Sequence, residues 1–210
     1  MSNKIIQEQF GQAVIDSFLD FAKSKIPDPD QLDAKWFDHI QEKNIREALV
    51  DTYYGSRWMY RIGLGLLVKD RERLAHIRAQ VIDYASICET LLSEMIVHGI
   101  EKSHLTKTQW EYADFNKSKN KKINWKNIKK TRDRVSKLSF AWYIKVCEEE
   151  NIIDATLAKS LESQRVLRNT VHLTERARAN NTYSLRASDD ALKAMQATIN
   201  QTKKWRSKNK

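Results

Sequence analysis

The sequence predicts an all-α protein, an antiparallel helical bundle preceded by an additional helical region. Its 210 residues include only five glycines and two prolines, far fewer turn-forming residues than a sandwich or barrel of short strands needs. Apolar residues recur at steps of three and four along most of the chain, which is the period of a helix. We therefore expect a helical N-terminal region over residues 1–69 and the bundle over residues 70–206.

The N-terminal region is expected to contain two helices, followed by a segment whose secondary structure the pattern does not decide. The first helix ends before Pro27, and its apolar face is formed by Ile6, Phe10, Val14, Phe18 and Phe21. Asp30 or Asp33 is expected to cap a second helix that runs through Leu49. Residues 53–68 are rich in aromatic side chains but contain three glycines, so the pattern leaves the helical continuity of this segment open.

The bundle is expected to begin with a long helix over residues 71–98, about 40 Å in length, with Gly99 as its C-terminal stop. Only another long, antiparallel helix is expected to cover so extended an apolar stripe. A connection spans residues 101–126. The apolar pattern then resumes at Ile128 and continues to Val146, which predicts a second long helix whose first half is basic.

Two further helices complete the predicted bundle. One is expected to start near Asp154 and to run to about Leu173. The last is expected to have Ser188 as its N-cap, because two acidic residues follow that serine in the first turn, where the helix dipole favours them.

The net charge of +10 is concentrated in one segment. Residues 117–137 contain ten Lys or Arg and one acid, so they carry +9 of the total. Such a block indicates a polyanionic partner, nucleic acid first and an anionic membrane second, although a solvated loop is the simpler alternative. The residues expected to contact nucleic acid are Lys119, Lys121, Lys122, Lys126, Lys129, Lys130, Arg132 and Arg134.

Several classes of protein are excluded at this level. The longest apolar run, residues 62–68, is far shorter than the ~20 residues of a membrane span. The start of the chain lacks the apolar stretch of a secretory signal, so we expect a cytoplasmic protein without a membrane partner. Cys88 and Cys147 are far apart in the sequence and are expected to be core residues rather than a disulfide or a metal site. No zinc-ligand spacing is present, so neither a metal nor a cofactor is expected.

The third helix of the predicted bundle carries a charged arc. At about 100° per residue, Arg165, Arg168 and His172 fall within about 60° of one another, and Asn169 flanks them. Apolar residues occupy the neighbouring arc of the same helix. A charged arc beside a buried one indicates a site rather than a freely solvated face.

Residues 70–205 resemble the HEPN superfamily (higher eukaryotes and prokaryotes nucleotide-binding). The resemblance rests on YASICETLL at 84–92, NIIDATL at 151–157 and RVLRNTVHL at 165–173. Arg168-Asn169 matches the family's arginine–asparagine pair; Arg165 precedes His172 at the family's motif spacing, whereas three residues separate Arg168 from His172. The resemblance implies a four- or five-helix bundle that forms a homodimer with a composite site. Many members cleave RNA without a metal ion in toxin–antitoxin, phage-defence and RNA-processing systems.

The resemblance and the chemistry of RNA cleavage together assign roles. His172 would be the general base or acid, because imidazole titrates near neutrality. Arg168 would hold the phosphate, and Arg165 is the alternative residue for this role. Asn169 would orient the phosphate or the histidine. Glu89 either reaches this arc or is a surface carboxylate.

Three functional hypotheses stay open. The first is a metal-independent endoribonuclease of a bacterial toxin or phage-defence system, with an antitoxin or defence protein as partner. The second is a non-catalytic adaptor that binds nucleic acid or an acidic partner, and the third is a helical antitoxin or regulator whose N-terminal region binds a protein. The aromatic residues around the basic block either stack on bases or fix the connection to the bundle; they are Trp110, Tyr112, Phe115 and Trp125.

Overall fold

The computed structural model describes residues 10–112, 121–127, 130–170 and 183–210. These ranges form eight α-helices and one small β-hairpin, so the prediction of an all-α helical bundle is confirmed. The helices are α1 Gln12–Lys23, α2 Pro29–Lys35, α3 Lys43–Gly65, α4 Asp70–Glu101, α5 Thr131–Val135, α6 Phe140–Glu149, α7 Ala155–Asn169 and α8 Leu185–Lys208. Strands β1 Gln109–Tyr112 and β2 Lys121–Asn124 pair antiparallel, with Trp110 opposite Ile123.

Helix α4 is the centre of the bundle. It contacts α3, α5, α6, α7 and α8, and its C-terminal half buries side chains on nearly every side, as expected for a helix without a polar face. The predicted stop at Gly99 is wrong, because this residue lies within α4 and permits a close approach. A Cβ atom there would lie 2.5 Å from Cδ2 of Leu105. The helix ends two residues later, and Ser103 adopts a left-handed conformation with φ +58°.

The long partner of α4 is α8, and the two helices run parallel. Ser188 donates a hydrogen bond of 2.5 Å to Gln80, and the Thr198 hydroxyl lies 3.6 Å from the Cys88 sulfur. Because both positions advance together along the two helices, the predicted antiparallel partner is wrong for this pair. The antiparallel neighbour is α3, whose Gly63 packs against His76. Helices α5 to α7 carry the chain back to the end of the bundle where α4 begins. Helix α8 can therefore start there and run parallel to α4.

Local capping explains the differences near the N-terminus. Asp28, rather than Asp30 or Asp33, caps the second helix by accepting a hydrogen bond of 2.9 Å from the Asp30 amide. That helix ends at Lys35, and α3 begins separately at Lys43, so the predicted single helix through Leu49 is two helices. The glycine-containing aromatic segment is helical as far as Gly65, within α3.

The predicted second long helix is divided. Ser139 accepts a hydrogen bond from the Trp142 amide and starts α6, while α5 ends at Val135. A serine that bonds to the local backbone offers an alternative to a continuous helix, so the basic segment is not the first half of one. The predicted connection over residues 101–126 contains the β-hairpin. Ser184, rather than Ser188, is the N-cap of α8.

One hydrophobic core joins these elements. Residues of the N-terminal region, such as Leu32, Phe37 and Tyr53, belong to the same buried cluster as Leu91 and Met195. Both cysteines are free thiols within it. Within the ranges described, every helix is too short or too polar to cross a membrane.

Candidate functional site

The most informative side chain in α7 is Arg168, in its last turn. Asp154 caps the start of α7 by accepting a hydrogen bond of 2.8 Å from the Leu157 amide, and the helix buries Leu157 and Leu161 against the core. This packing turns Arg168 towards α4, where its Nη2 lies 2.8 Å from Oε2 of Glu89. The guanidinium is thus fixed to the central helix.

Glu89 is a partner of the charged arc and not a surface carboxylate. Its side chain is 24% exposed and that of Arg168 is 32% exposed. Burial raises the pKa of Glu89, and the guanidinium of Arg168 acts against that rise by stabilising the charged form. Because arginine has five N–H donors, one pairing with Glu89 leaves others for an anionic ligand. The pair therefore orients Arg168 without saturating it.

The other predicted residues of the arc are placed differently. Arg165 donates two hydrogen bonds to Glu162 on its own helix, the one from Nε being 2.8 Å long. Asn169 is exposed at the end of α7. His172 lies outside the described residues. The structure therefore joins Arg168 to Glu89 and leaves Arg165 with a separate acid.

A hydrogen-bonded tyrosine fixes the end of α7. The hydroxyl of Tyr183 lies 2.8 Å from the hydroxyl of Thr170 and 3.1 Å from the carbonyl oxygen of Leu167. These bonds hold Tyr183 against the last turn of α7, next to Arg168. Sequence reasoning missed Tyr183; an aromatic residue with a polar end, shortly before the cap of α8, was the available signal.

The basic hairpin is attached to the bundle through buried aromatic residues. Trp110 is buried, and Trp142 of α6 donates a hydrogen bond of 2.9 Å to the Glu111 carbonyl. The ring of Trp125 meets that of Trp142 edge to face, with their centres 5.9 Å apart. For Trp110 and Trp125 the structure favours fixation to the bundle over base stacking. Phe115 lies outside the described residues, as does the side chain of Tyr112.

The predicted nucleic-acid-binding residues divide into exposed and paired groups. Lys122, Lys126, Lys130 and Arg134 are exposed. Arg132 instead forms an ion pair with Glu94, whose carboxylate is buried in α4. Lys119 and Lys129 lie outside the described residues, as does the side chain of Lys121. A depression of about 270 Å³ beside the hairpin is lined by two further lysines, Lys107 and Lys145, and by Glu111 and Glu149. Lys107 forms an ion pair with Glu149.

The two charged features face different sides of α4. Glu89 holds Arg168 and Glu94 holds Arg132, and the second acid lies five positions after the first along α4. Five residues correspond to about 7.5 Å along a helix and about 140° around it. Arg168 and Arg132 are therefore held on different sides of α4.

Glu94 is the acid whose ion pair sequence reasoning did not predict. It lies among Leu91, Leu92, Met95 and Ile96, all of them buried. An acid inside an apolar run signals a buried ion pair, because an unpaired carboxylate there would be costly. Burial raises the pKa of Glu94 and the guanidinium of Arg132 lowers it. Among the residues described, His, Cys, Asp and Glu form no cluster suited to a metal ion.

Comparison with known proteins gives no relative. No family model matches the chain, and neither a curated protein nor a solved structure is significantly similar to it. The functional argument therefore depends on the arrangement of Arg168 and Glu89, on the exposed lysines and on the sequence of α7.

Proposed function

We propose that this chain is a HEPN-like RNA-binding protein that cleaves RNA without a metal ion. The observation that carries the proposal is the pairing of Arg168 with Glu89, which fixes a partly exposed guanidinium four residues before His172. The proposal includes a cytoplasmic homodimer in which two such sites face each other, within a bacterial toxin or phage-defence system that supplies a partner protein.

The chemistry uses groups that this chain contains. His172 would remove the proton from the ribose 2′-hydroxyl, whose oxygen then attacks the adjacent phosphorus. Arg168 would stabilise the negative charge that develops on the phosphate oxygens, through N–H groups not used by Glu89. The bond to the 5′-oxygen breaks, that oxygen takes up a proton, and the product retains a 2′,3′-cyclic phosphate.

The direct test is cleavage of labelled single-stranded RNA by the full chain in excess EDTA. We expect cleavage to persist and mass spectrometry to find ends lighter by one water than linear phosphates. Activity that appears only after Mg²⁺ is added, or products with linear 5′-phosphates, would exclude this mechanism.

A non-catalytic adaptor is the second candidate, and the same ion pair favours it. An arginine fixed by a half-buried carboxylate can also serve to attach α7 to α4 or to hold an interface. The adaptor would bind nucleic acid through its lysines without turnover. Salt-sensitive binding of RNA that stays intact in the EDTA assay would select it.

Both candidates predict that the exposed lysines bind phosphate. Changing Lys122, Lys126 and Lys130 together to glutamine is expected to lower the slope of log affinity against log salt by about 2, since each phosphate contact with a single strand contributes about 0.7. Fluorescence anisotropy with single-stranded RNA at several salt concentrations measures this slope.

The matched control removes three charges elsewhere, by changing Lys23, Lys25 and Lys159 to glutamine. Its slope should stay near that of the unmodified protein. Equal slopes for the two triple variants would mean that net charge alone governs binding. Lys122, Lys126 and Lys130 would then not be the nucleic-acid-binding surface.

A further inference from the structure

A cavity of about 340 Å³ lies where α3 turns into α4, apart from Arg168 and from the basic hairpin. Its walls are mainly apolar and include Tyr60, Leu64, Leu67, Val68 and Ile77. The volume falls in the range of small-molecule sites, which are concave and apolar with a few polar groups. The cavity is therefore large enough for a small ligand.

A second depression, of about 460 Å³, lies beside the first. The two share Arg73, Ile77 and Leu185, so the first residue of α8 forms part of a common wall. Three leucines at this place are exposed, Leu64 by 43%, Leu67 by 77% and Leu185 by 57%. Exposed apolar side chains that are grouped in this way are typical of a ligand-binding or protein-binding surface.

Two of the polar side chains at the cavity are cations. Lys69 and Arg73 line it, and neither forms an ion pair with a carboxylate in the described part of the chain. Asp70 is the acid among the described residues that line the second depression. The Nδ1 atom of His76 is buried without a hydrogen-bond partner among the described residues. A ligand with an acidic group would find the two cations Lys69 and Arg73 here.

The direction of the helices adds to this positive character. Because α4 and α8 run parallel, both begin at this end of the bundle, and residues of both first turns line the second depression. Each helix N-terminus carries a partial positive charge. Leu67 and Asp70, at the turn between α3 and α4, have φ of +50° and +46°. Backbone strain of this kind concentrates at functional sites.

We propose that this cavity binds a small amphipathic anion, a molecule with an apolar body and a carboxylate or phosphate group. The body would contact Tyr60, Leu64 and Leu67. The acidic group would bind Lys69 and Arg73 at the mouth. This binding site is independent of RNA cleavage, since none of its residues belongs to the arc of α7.

The test compares two dyes with the same aromatic body. 8-Anilinonaphthalene-1-sulfonate is an anion, whereas N-phenyl-1-naphthylamine is uncharged. We expect one molecule of the anionic dye to bind per chain. Changing Lys69 and Arg73 together to glutamine should weaken its binding about tenfold or more, because hydrogen bonds to charged groups are among the stronger ones. The uncharged dye should bind the variant within twofold of the unmodified protein.

Two further variants identify the place of binding. Leu64→Asp puts a carboxylate into the apolar wall and should abolish binding of both dyes, with circular dichroism showing an intact helical fold. The double change of Lys23 and Lys25 to glutamine removes the same charge elsewhere and should leave both affinities unchanged.

Three results would overturn the proposal. The first is binding of the anionic dye that neither the Lys69/Arg73 variant nor Leu64→Asp alters, which would locate it elsewhere. The second is binding at several molecules per chain without saturation. The third is a chain that binds neither dye but forms a dimer that Leu64→Asp dissociates, which would assign the face to a second copy.

Discussion

Replacing His172 by alanine is expected to lower the rate of RNA cleavage by about two to four orders of magnitude, the contribution of a general acid–base group. The lysines of the basic segment do not replace it, because an ammonium group donates hydrogen bonds but has no acceptor for a proton. RNA affinity should change little, since the exposed lysines are untouched. Single-turnover rates in EDTA, together with anisotropy for binding, separate the two effects.

The matched control is His104→Ala, which removes an imidazole from the segment between α4 and the hairpin. It should cleave at the rate of the unmodified protein. A second variant, Arg168→Lys, retains the charge but loses the planar fork, and should reduce the rate while a cation remains near Glu89. If His172→Ala cleaves as fast as the unmodified chain, the catalytic assignment is wrong and the adaptor becomes the better interpretation.

Helical periodicity carried most of the prediction of the fold. The apolar residues of α4 and α7 recur so regularly that both helices could be placed within a few residues, and Asp154 marked the start of α7. Periodicity identifies which face of a helix is buried, but it does not say in which direction the partner runs. The parallel pairing of α4 and α8 is set by contacts such as Ser188 to Gln80, over a separation of 108 residues.

Local hydrogen bonds explain the errors of detail. Ser139 begins a new helix where the apolar pattern alone continues, and Ser184 takes the capping role expected of Ser188. Gly99 reads as a helix stop, but its role is to admit Leu105. In each case a side chain–backbone hydrogen bond or a close contact determines where the helix begins or ends. Neither kind of interaction produces a periodic pattern in the sequence.

The sequence predicted a charged face on α7, but it did not predict the acid with which each arginine pairs. Projection of α7 placed Arg165 and Arg168 near each other, and the structure gives each a different acid. The partner Glu89 lies 79 residues earlier, so its distance depends on how α4 and α7 cross. Only the three-dimensional packing shows that this carboxylate is half-buried and paired.

Acid is expected to destabilise the fold through His39. This imidazole is only 4% exposed and its Nε2 donates a hydrogen bond of 3.1 Å to the Thr202 hydroxyl, which itself donates to backbone carbonyls of α8. Its Nδ1 lies 3.8 Å from Oδ1 of Asp38, too far for a hydrogen bond, and has no hydrogen-bond partner among the described residues. Protonation would therefore place a charge on a buried nitrogen that is not hydrogen-bonded.

The pKa of His39 is lowered to about 4, chiefly because burial disfavours the cation. Asp38 acts against this effect, whereas Lys203 and Arg206 add to it. Between pH 6.5 and pH 4 the unfolded chain therefore binds more protons at this residue than the folded chain. The contribution of His39 to stability therefore falls as the pH falls through this window, by about 3 kcal/mol between pH 7 and pH 4.

Three carboxyls, one buried and two half-buried, act in the opposite direction. Burial raises the pKa values of Asp83, Glu89 and Glu94, so the folded chain takes up protons before the unfolded chain does as the pH falls. Their protonation favours the folded state on acidification. The pH dependence of the unmodified protein thus mixes both effects, and only a difference between variants isolates His39.

The variant His39→Gln keeps an N–H donor for Thr202 but cannot be protonated in this range. Urea unfolding at pH 7 and at pH 4 should show that the unmodified protein loses about 3 kcal/mol more than His39→Gln over this interval. Lys203→Gln removes one of the cations that lower the pKa of His39, so it should show a smaller loss than the unmodified protein. Equal losses for the unmodified protein and His39→Gln would mean that the imidazole is solvated in the folded state, and would contradict the buried environment that Thr202 and Lys203 define.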